Sequence, residues 1–210
     1  AQRAVRFIRH HAERYGINPE RIGGVGHSSG GHLVAMLSTL EGTGDASDPD
    51  PVSRESSKIQ CVVASAAPAD FLSWPPIWSR EVLGSFLGMM RRPRGSRAYQ
   101  TYWEASPANH VSADDAPFLL VHGETDESVP FQQAEVMEEA LETAGVEVKL
   151  LRIREGDHGL RPGNAEDTRN YRGEMIRWLN VHLIGEARAD EYESLVAALG
   201  WLTKGENLAK

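Results

Sequence analysis

Residues 21–31, Arg-Ile-Gly-Gly-Val-Gly-His-Ser-Ser-Gly-Gly, join a short apolar run to a Gly-x-Ser-x-Gly motif and then open a helix. This order of strand, serine and helix is typical of a nucleophile elbow, in which Ser28 lies on a strained turn. A side chain at Gly26 or Gly30 would collide with the backbone that closes around the serine, so we expect glycine at both positions. Apolar residues flank the motif, as a buried strand before it and as one helical face after it: Ile22 and Val25, then Leu33, Met36, Leu37 and Leu40.

Outward from this motif, predicted helices and strands alternate along the chain. A helix precedes the motif and ends at Gly16; one face of it carries Ala4, Ile8, His11, Ala12 and Tyr15. Apolar runs predict three further strands within residues 59–65, 117–123 and 146–153, and helical spacing predicts helices at about 131–144 and across 171–182. The alternation predicts an α/β fold with four parallel strands, right-handed crossovers and helices on both faces of the sheet.

Residues 71–111 break this regular pattern. They carry many aromatic residues and prolines, including Trp74, Trp78 and Trp103, with only short helical patches. The segment follows a strand whose end lies beside the serine, so we expect a helical, cap-like insertion that shapes substrate choice. The tryptophans fit packing in a core or lid, and the alternative is a stacking platform for a sugar. We predict an α/β core over residues 1–184 and a C-terminal helical tail over residues 185–210.

Composition narrows the classes of function. With 210 residues, of which 40% are hydrophobic, the chain is long enough for one domain. A formal net charge of −8 with scattered basic residues does not predict binding to nucleic acid or to an anionic membrane, and no apolar stretch is long enough to span a bilayer. The sequence begins with Ala1, which leaves the compartment open.

Cysteine and histidine placement does not indicate metal or disulfide chemistry. Cys61 stands alone in an apolar run, which favours a buried thiol. His27 and His32 flank the serine at a spacing that does not put two ligands on one helical face. We therefore expect no metal ion and no other cofactor. His122 is expected to pack at a strand end, and Asp157 to form a turn.

The serine also predicts where its partners should lie. A serine hydroxyl needs a positioned base, and the base needs an acceptor that fixes its tautomer. In parallel sheets the reactive loops follow the carboxyl ends of the strands. Asp126 follows the third predicted strand and His158 follows the fourth, so three loops converge on one edge. Asp70 follows the second strand and is the alternative acceptor; its other interpretation is a helix cap or a loop anchor.

Three motifs carry a resemblance to a known superfamily: Gly-His-Ser-Ser-Gly-Gly-His-Leu at 26–33, Val-His-Gly-Glu-Thr-Asp at 121–126 and Gly-Asp-His-Gly at 156–159. From residue 1 to about 184 the chain resembles the α/β-hydrolases, and most of all the bacterial esterase branch that includes hormone-sensitive-lipase-like carboxylesterases and acetyl-xylan or feruloyl esterases. The resemblance implies that Ser28 is the nucleophile, His158 the general base and then acid, and Asp126 the orienting carboxylate.

The same resemblance implies further features of the site. The backbone N–H of Ser29 would be one oxyanion-hole donor, and the substrate would be a small-molecule ester. Candidate residues of the substrate pocket are Trp74, Trp78 and His27. Two alternatives stay open: a serine peptidase of the prolyl-oligopeptidase type, and a non-catalytic domain with a hydrolase-like fold.

One departure from the family affects what the chain can do by itself. These enzymes carry further strands upstream of the elbow, and a His-Gly-Gly loop that supplies other oxyanion donors; this sequence has no such loop. We expect either a fragment of a longer hydrolase or a chain completed by a partner. Residues 1–210 alone should therefore be a poor esterase and should self-associate through the exposed edge of the elbow strand.

Overall fold

A parallel sheet forms the centre of the protein in the computed structural model, which describes residues 1–74, 82–88, 93–161 and 165–198. Within these residues the sheet has four strands in the order β1–β2–β3–β4. They are β1 Gly23–His27, β2 Cys61–Ser65, β3 Phe118–Gly123 and β4 Val148–Ile153. Pairing is parallel throughout, with Gly26 opposite Ala64 and Ala64 opposite Leu120. The strand ends that precede the predicted reactive loops therefore lie side by side.

Helices cover both faces of this sheet, as the sequence predicts. They are α1 Gln2–His10, α2 Ala12–Tyr15, α3 Ser29–Thr39, α4 Val82–Leu87, α5 Arg97–Glu104, α6 Gln132–Ala144, α7 Ala165–Ile184 and α8 Glu186–Ala198, with 3-10 turns at Pro51–Arg54 and Pro107–His110. Side chains of α3 and α6 share one core cluster with the sheet, and those of α7 share the other. None of the helices in the described ranges is both long and apolar enough to cross a membrane.

The middle strands are buried because helices pack on both of their faces. Every residue of β2 and β3 is buried, which agrees with the continuous apolar runs that predict them. Cys61 is fully buried at the start of β2, and burial raises the pKa of its thiol to about 11. This thiol stays protonated at neutral pH and acts as a small apolar residue.

The elbow strand and its helix are less buried than their sequence predicts. Val25 is 52% exposed and Leu33 is 54% exposed, so the expectation of a buried strand and of a buried face through Leu33 is wrong. The face of α3 that packs on the sheet is made instead of small and polar residues: Gly31, His32, Ala35, Ser38 and Thr39, with Leu37 beside them. Small side chains let α3 lie close to the sheet, since a Cβ at Gly31 would come within 2.8 Å of the Cβ of Ala67.

The first helix also turns a different face inward. Val5 and Ala12 are buried, whereas Ile8 and Tyr15 are 38% and 50% exposed, which corrects the predicted apolar face. Gly16 ends the segment in the left-handed conformation with φ 63°, as expected of a helix stop.

The insertion after β2 contains α4, α5 and the 3-10 turn Pro107–His110. Trp74 is buried in a cluster with Phe71, Leu83, Tyr102 and Val129. Trp103 is 37% exposed and packs edge-on against His110 instead. Trp78 lies outside the described residues. The described part of the insertion thus presents a packed aromatic wall next to the end of β2.

Candidate active site

Ser28 lies on a strained turn between β1 and α3. Its φ is 55° and its ψ is −121°, a conformation that costs free energy for any residue with a Cβ. The turn closes tightly at Gly26, where a Cβ would come within 2.1 Å of the carbonyl oxygen of Gly30. Gly30 itself faces open space, so the steric need predicted for it is wrong. The backbone N–H of Ser28 donates to the carbonyl of Ser65 at 2.8 Å, and this hydrogen bond stabilises the strained turn.

A line of hydrogen bonds runs from this serine to a buried carboxylate. His158 Nε2 lies 2.9 Å from Ser28 Oγ, and His158 Nδ1 lies 2.8 Å from Asp126 Oδ2. The carboxylate accepts only, so Nδ1 carries the proton and leaves Nε2 able to accept from the hydroxyl. The structure thus brings together the three residues that the sequence selects, from the loops after β1, β3 and β4.

Asp126 is buried and is held by three hydrogen bonds and a contact with His122. Its Oδ1 accepts from the backbone N–H groups of Ser128 and Val129, each at 2.8 Å. Its Oδ2 accepts from His158 and lies 3.3 Å from His122 Nε2. Burial alone would raise the pKa of this carboxyl, but the hydrogen bonds from His122, Val129, His158 and Ser128 outweigh it and lower the pKa to about 2. The carboxylate is therefore ionised at neutral pH.

The loops that carry Asp126 and His158 are tied to each other by backbone contacts. A Cβ at Gly123 would come within 2.2 Å of the carbonyl oxygen of Gly156, so the chains can meet only if residue 123 is glycine. That same carbonyl accepts from the backbone N–H and the hydroxyl of Thr125, both at 3.0 Å. Asp157 closes its own loop by accepting from the backbone N–H of Arg161, as expected for a turn former. These contacts fix the distance between the imidazole and the carboxylate.

Asp70, the alternative acceptor, has a different set of contacts. Its carboxylate accepts from the backbone N–H groups of Leu72 and Ser73, at 2.8 and 3.1 Å. These contacts make Asp70 a loop anchor, which is the second interpretation that its sequence position allows. The structure brings Asp126, not Asp70, to the imidazole.

A pocket of about 190 Å³ opens next to Ser28. Its wall is mainly apolar and comes from the serine turn, α3, the insertion and the loops after β2, β3 and β4: Ser28, Ser29, His32, Pro68, Phe71, Trp74, Leu83, Phe86, Ser128, Val129 and His158. Trp74 therefore lies where the sequence analysis placed a pocket residue. His27 does not line this pocket; it is exposed beside His158, with ring centroids 5.1 Å apart. Burial and then the nearby His158 lower the pKa of His27.

Two polar atoms in the pocket wall have no hydrogen-bond partner within the described residues: His32 Nδ1 and Trp74 Nε1. His32 Nε2 lies 2.7 Å from the carbonyl of Ala105, which only accepts, so this nitrogen carries the ring proton and Nδ1 is an acceptor. Burial lowers the pKa of His32, which keeps the ring neutral. His32 thereby fastens the insertion to α3.

Ser29 is the first residue of α3, where a backbone N–H has no partner inside the helix. A helix N-terminus beside Ser28 favours negative charge, as an oxyanion donor should. No group of three or more His, Cys, Asp or Glu side chains that could hold a metal ion occurs in the part of the chain that the structure describes.

Sequence reasoning missed two parts of this site. His122 was expected only to pack, whereas its Nε2 lies 3.3 Å from Asp126 Oδ2. The pocket wall from Phe71, Phe86 and Val129 was missed because it joins distant segments whose apolar residues have no common period. The histidine could have been found from its polar character in a buried run, and the wall could not.

Comparisons with known proteins identify relatives of this chain. A model of the BD-FAE family matches residues 1–141. LipM of Mycobacterium tuberculosis, named a probable carboxylic ester hydrolase, is 31% identical over 136 residues, which are 63% of this chain and 30% of LipM. YuxL of Bacillus subtilis, named an uncharacterized peptidase, is 33% identical over 82 residues, 39% of this chain and 12% of YuxL. The chain thus spans less than a third of either relative.

A solved structure shows the same fold over most of the chain. The acetyl ester-xyloside bifunctional hydrolase from Caldicellulosiruptor lactoaceticus superimposes with a TM-score of 0.68 and 29% identity, covering 92% of this chain and 64% of that one. The four parallel strands and the helices on both faces fit the α/β-hydrolase fold that such esterases share. The chain belongs to the BD-FAE family of α/β-hydrolases.

Proposed function

We propose that the protein is a serine carboxylic-ester hydrolase that works through an acyl-enzyme on Ser28. The observation that carries this proposal is the unbroken line of hydrogen bonds from Ser28 Oγ through His158 to the ionised Asp126. Similarity to LipM and to the Caldicellulosiruptor hydrolase supports an ester as the substrate. The mainly apolar pocket beside Ser28 supports a small, mostly uncharged group on that ester.

The proposed reaction has two halves. Ser28 Oγ attacks the ester carbonyl while His158 Nε2 takes its proton, and the backbone N–H of Ser29 donates to the oxyanion. The intermediate collapses when His158 returns the proton to the departing alcohol, which leaves the acyl group on Ser28. Water then attacks the acyl carbonyl with His158 again as base, and the acid and free serine are released. Asp126 stays ionised throughout and stabilises the imidazolium.

A peptidase is the second candidate, because YuxL is 33% identical to this chain over 82 residues. The same serine, histidine and aspartate would serve both reactions, so specificity separates them. The experiment compares p-nitrophenyl acetate and butyrate with Pro-containing peptide substrates, for the wild type and for Ser28→Ala. The esterase proposal expects Ser28-dependent turnover of the esters and little cleavage of peptides. Faster cleavage of peptides would favour the peptidase, and no Ser28-dependent turnover of either would favour a non-catalytic domain.

We also propose that the chain self-associates through β1. This strand stands at the end of the described sheet, and its backbone edge can pair with another strand. Val25 on β1 and Leu33 on α3 are both more than half exposed, so association would remove large apolar side chains from water. Size-exclusion chromatography over a range of concentrations tests this proposal, and an unchanging monomer would refute it.

A further inference from the structure

His122 lies at the end of β3, directly beneath the carboxylate of Asp126. It is 1% exposed, and Phe131 packs edge-on against its ring with the centroids 5.7 Å apart. A buried polar ring at this place has to find a partner for its N–H, because an unpartnered donor away from water is costly. The structure gives it two partners, and both lie on the loop that carries the aspartate.

The contacts of His122 Nε2 fix where its proton lies. This nitrogen is 2.9 Å from the carbonyl oxygen of Val129, which can only accept, so Nε2 carries the hydrogen. The same nitrogen is 3.3 Å from Asp126 Oδ2. The N–H therefore donates to the backbone oxygen of residue 129 and lies close to the carboxylate oxygen that receives His158.

The two oxygens of Asp126 are held differently. Oδ1 accepts two backbone N–H groups, from Ser128 and Val129, and these stay in place as long as the turn does. Oδ2 is contacted by side chains only: it accepts from His158, and it lies 3.3 Å from His122 Nε2. His158 must move charge and proton during a reaction, so His122 is the fixed one of these two contacts.

We propose that His122 is a positioning residue, which holds Asp126 Oδ2 in line with His158 Nδ1. This inference rests on the proposed function of Ser28, His158 and Asp126. His122 does not touch the reacting atoms and acts only through Asp126. Its hydrogen bond is also the largest of the contributions that lower the pKa of the buried Asp126 carboxyl against the effect of burial.

Asp126 is the titratable group in contact with His122, and other titratable groups lie on the segments around it. Asp126 lies on the following loop, His158 on the loop after β4, and His27 at the end of β1. In β4, Arg152 is the register partner of His122, and its guanidinium is paired with Glu135 at 3.3 Å. Asp126 is thus the carboxylate that His122 contacts, and removal of the imidazole N–H acts first on that group.

The test compares two variants of His122 with a neighbouring control. His122→Leu removes the N–H, whereas His122→Gln keeps an amide N–H at the end of a chain of similar reach. We expect Leu to lower kcat roughly 10- to 100-fold with KM within about 2-fold, as loss of an orienting partner does, and Gln to restore most of kcat. Phe131→Leu changes the packing around the ring but not the N–H, and should leave kcat within about 2-fold of wild type.

Two further readouts separate positioning from a merely structural role. In an Asp126→Asn background, His122→Leu should have little additional effect on kcat, because its target is already altered. The acidic limb of the pH profile of kcat/KM reports protonation of the general base. This limb should move to higher pH in His122→Leu, because Asp126 Oδ2 without the neighbouring His122 N–H accepts more strongly from the protonated imidazole of His158.

Several results would overturn the inference: wild-type kcat in His122→Leu, an equal loss in His122→Gln, or a full additional loss in the Asp126→Asn background. If His122→Leu does not fold, His122→Asn takes its place, because its shorter amide does not reach Asp126 Oδ2; a wild-type kcat in His122→Asn would overturn the inference. The proposed function fails separately, because Ser28→Ala would then keep its turnover. If Ser28 proves essential while the His122 variants behave as wild type, only the inference about His122 is wrong.

Discussion

The region of Ser28 that faces β3 and β4 and the region that faces β1 differ in how well their side chains are packed and hydrogen-bonded. On the side of β3 and β4, Asp126 is buried, three hydrogen bonds and the contact with His122 hold its carboxylate, and backbone contacts tie its loop to that of His158. On the side of β1, Val25 and Leu33 are 52% and 54% exposed. Contacts among the described residues are therefore sufficient to align Ser28, His158 and Asp126. The outer side of the elbow, by contrast, leaves apolar side chains exposed to solvent.

The largest effect is expected from the residues that would carry the reaction. Ser28→Ala removes the nucleophile and His158→Ala removes the base, so each should lower ester turnover on the order of 10⁶-fold in kcat. Steady-state hydrolysis of p-nitrophenyl acetate by the intact protein measures this loss. The double variant should be no slower than either single variant, because the residues act as a unit. If the loss of kcat in the double variant were the product of the two single losses, Ser28 and His158 would not act as a unit.

The next largest effect tests which aspartate completes the site. Asp126→Asn should lower kcat about 10⁴-fold, because the imidazole would then adopt the wrong tautomer although the base is still present. Asp70→Asn is the matched control, since Asp70 also follows a strand and also accepts two backbone N–H groups. It should cost only roughly 1 kcal/mol of stability, as the loss of a cap does. A greater loss of kcat in Asp70→Asn would show that the acceptor has been assigned to the wrong residue.

The expectations about the middle strands were confirmed, whereas those about the burial of β1 and α3 were wrong. The middle strands and the loops after them could be predicted, because a buried strand needs a continuous apolar run and reactive loops follow its carboxyl end. The exposure of Val25 and Leu33 could not be predicted, since the identity of an apolar residue does not tell whether another element covers it. Gly31 and Ala35 form part of the packed face of α3, because small residues let the helix lie close to the sheet. A search for periodic large apolar residues does not detect such a face.

A smaller effect, on specificity, is expected at the pocket wall. Trp74 is buried and lines the pocket beside Ser28, so Trp74→Ala should enlarge the space for the substrate. The ratio of kcat/KM for bulky esters to that for acetate should change about 10-fold, within the range that apolar pocket contacts provide. Trp103→Ala is the control, because Trp103 is half-exposed and packs against His110. Equal losses for all esters in Trp74→Ala would mean that this residue serves folding only.

The smallest effect on turnover is expected at the edge of the sheet. Val25→Lys places a charge on β1 and should weaken self-association, because a lysine on an edge strand opposes pairing. Size-exclusion chromatography should show a shift toward monomer, with ester turnover per chain within about 2-fold of the wild type. Ile176→Lys, at an exposed apolar residue of α7, is the control and should not change the elution. If the wild type and both variants all elute as monomers, association through β1 is contradicted.

The central claim is that Ser28 is activated by His158 and Asp126, and covalent labelling tests it most directly. A fluorophosphonate reacts only with a serine whose proton can be taken by a positioned base. The account predicts one adduct per chain, mapped by mass spectrometry to Ser28, lost in Ser28→Ala and His158→Ala, and slowed in Asp126→Asn. Absence of an adduct on Ser28 in the folded protein, or equal labelling of His158→Ala and wild type, would contradict it.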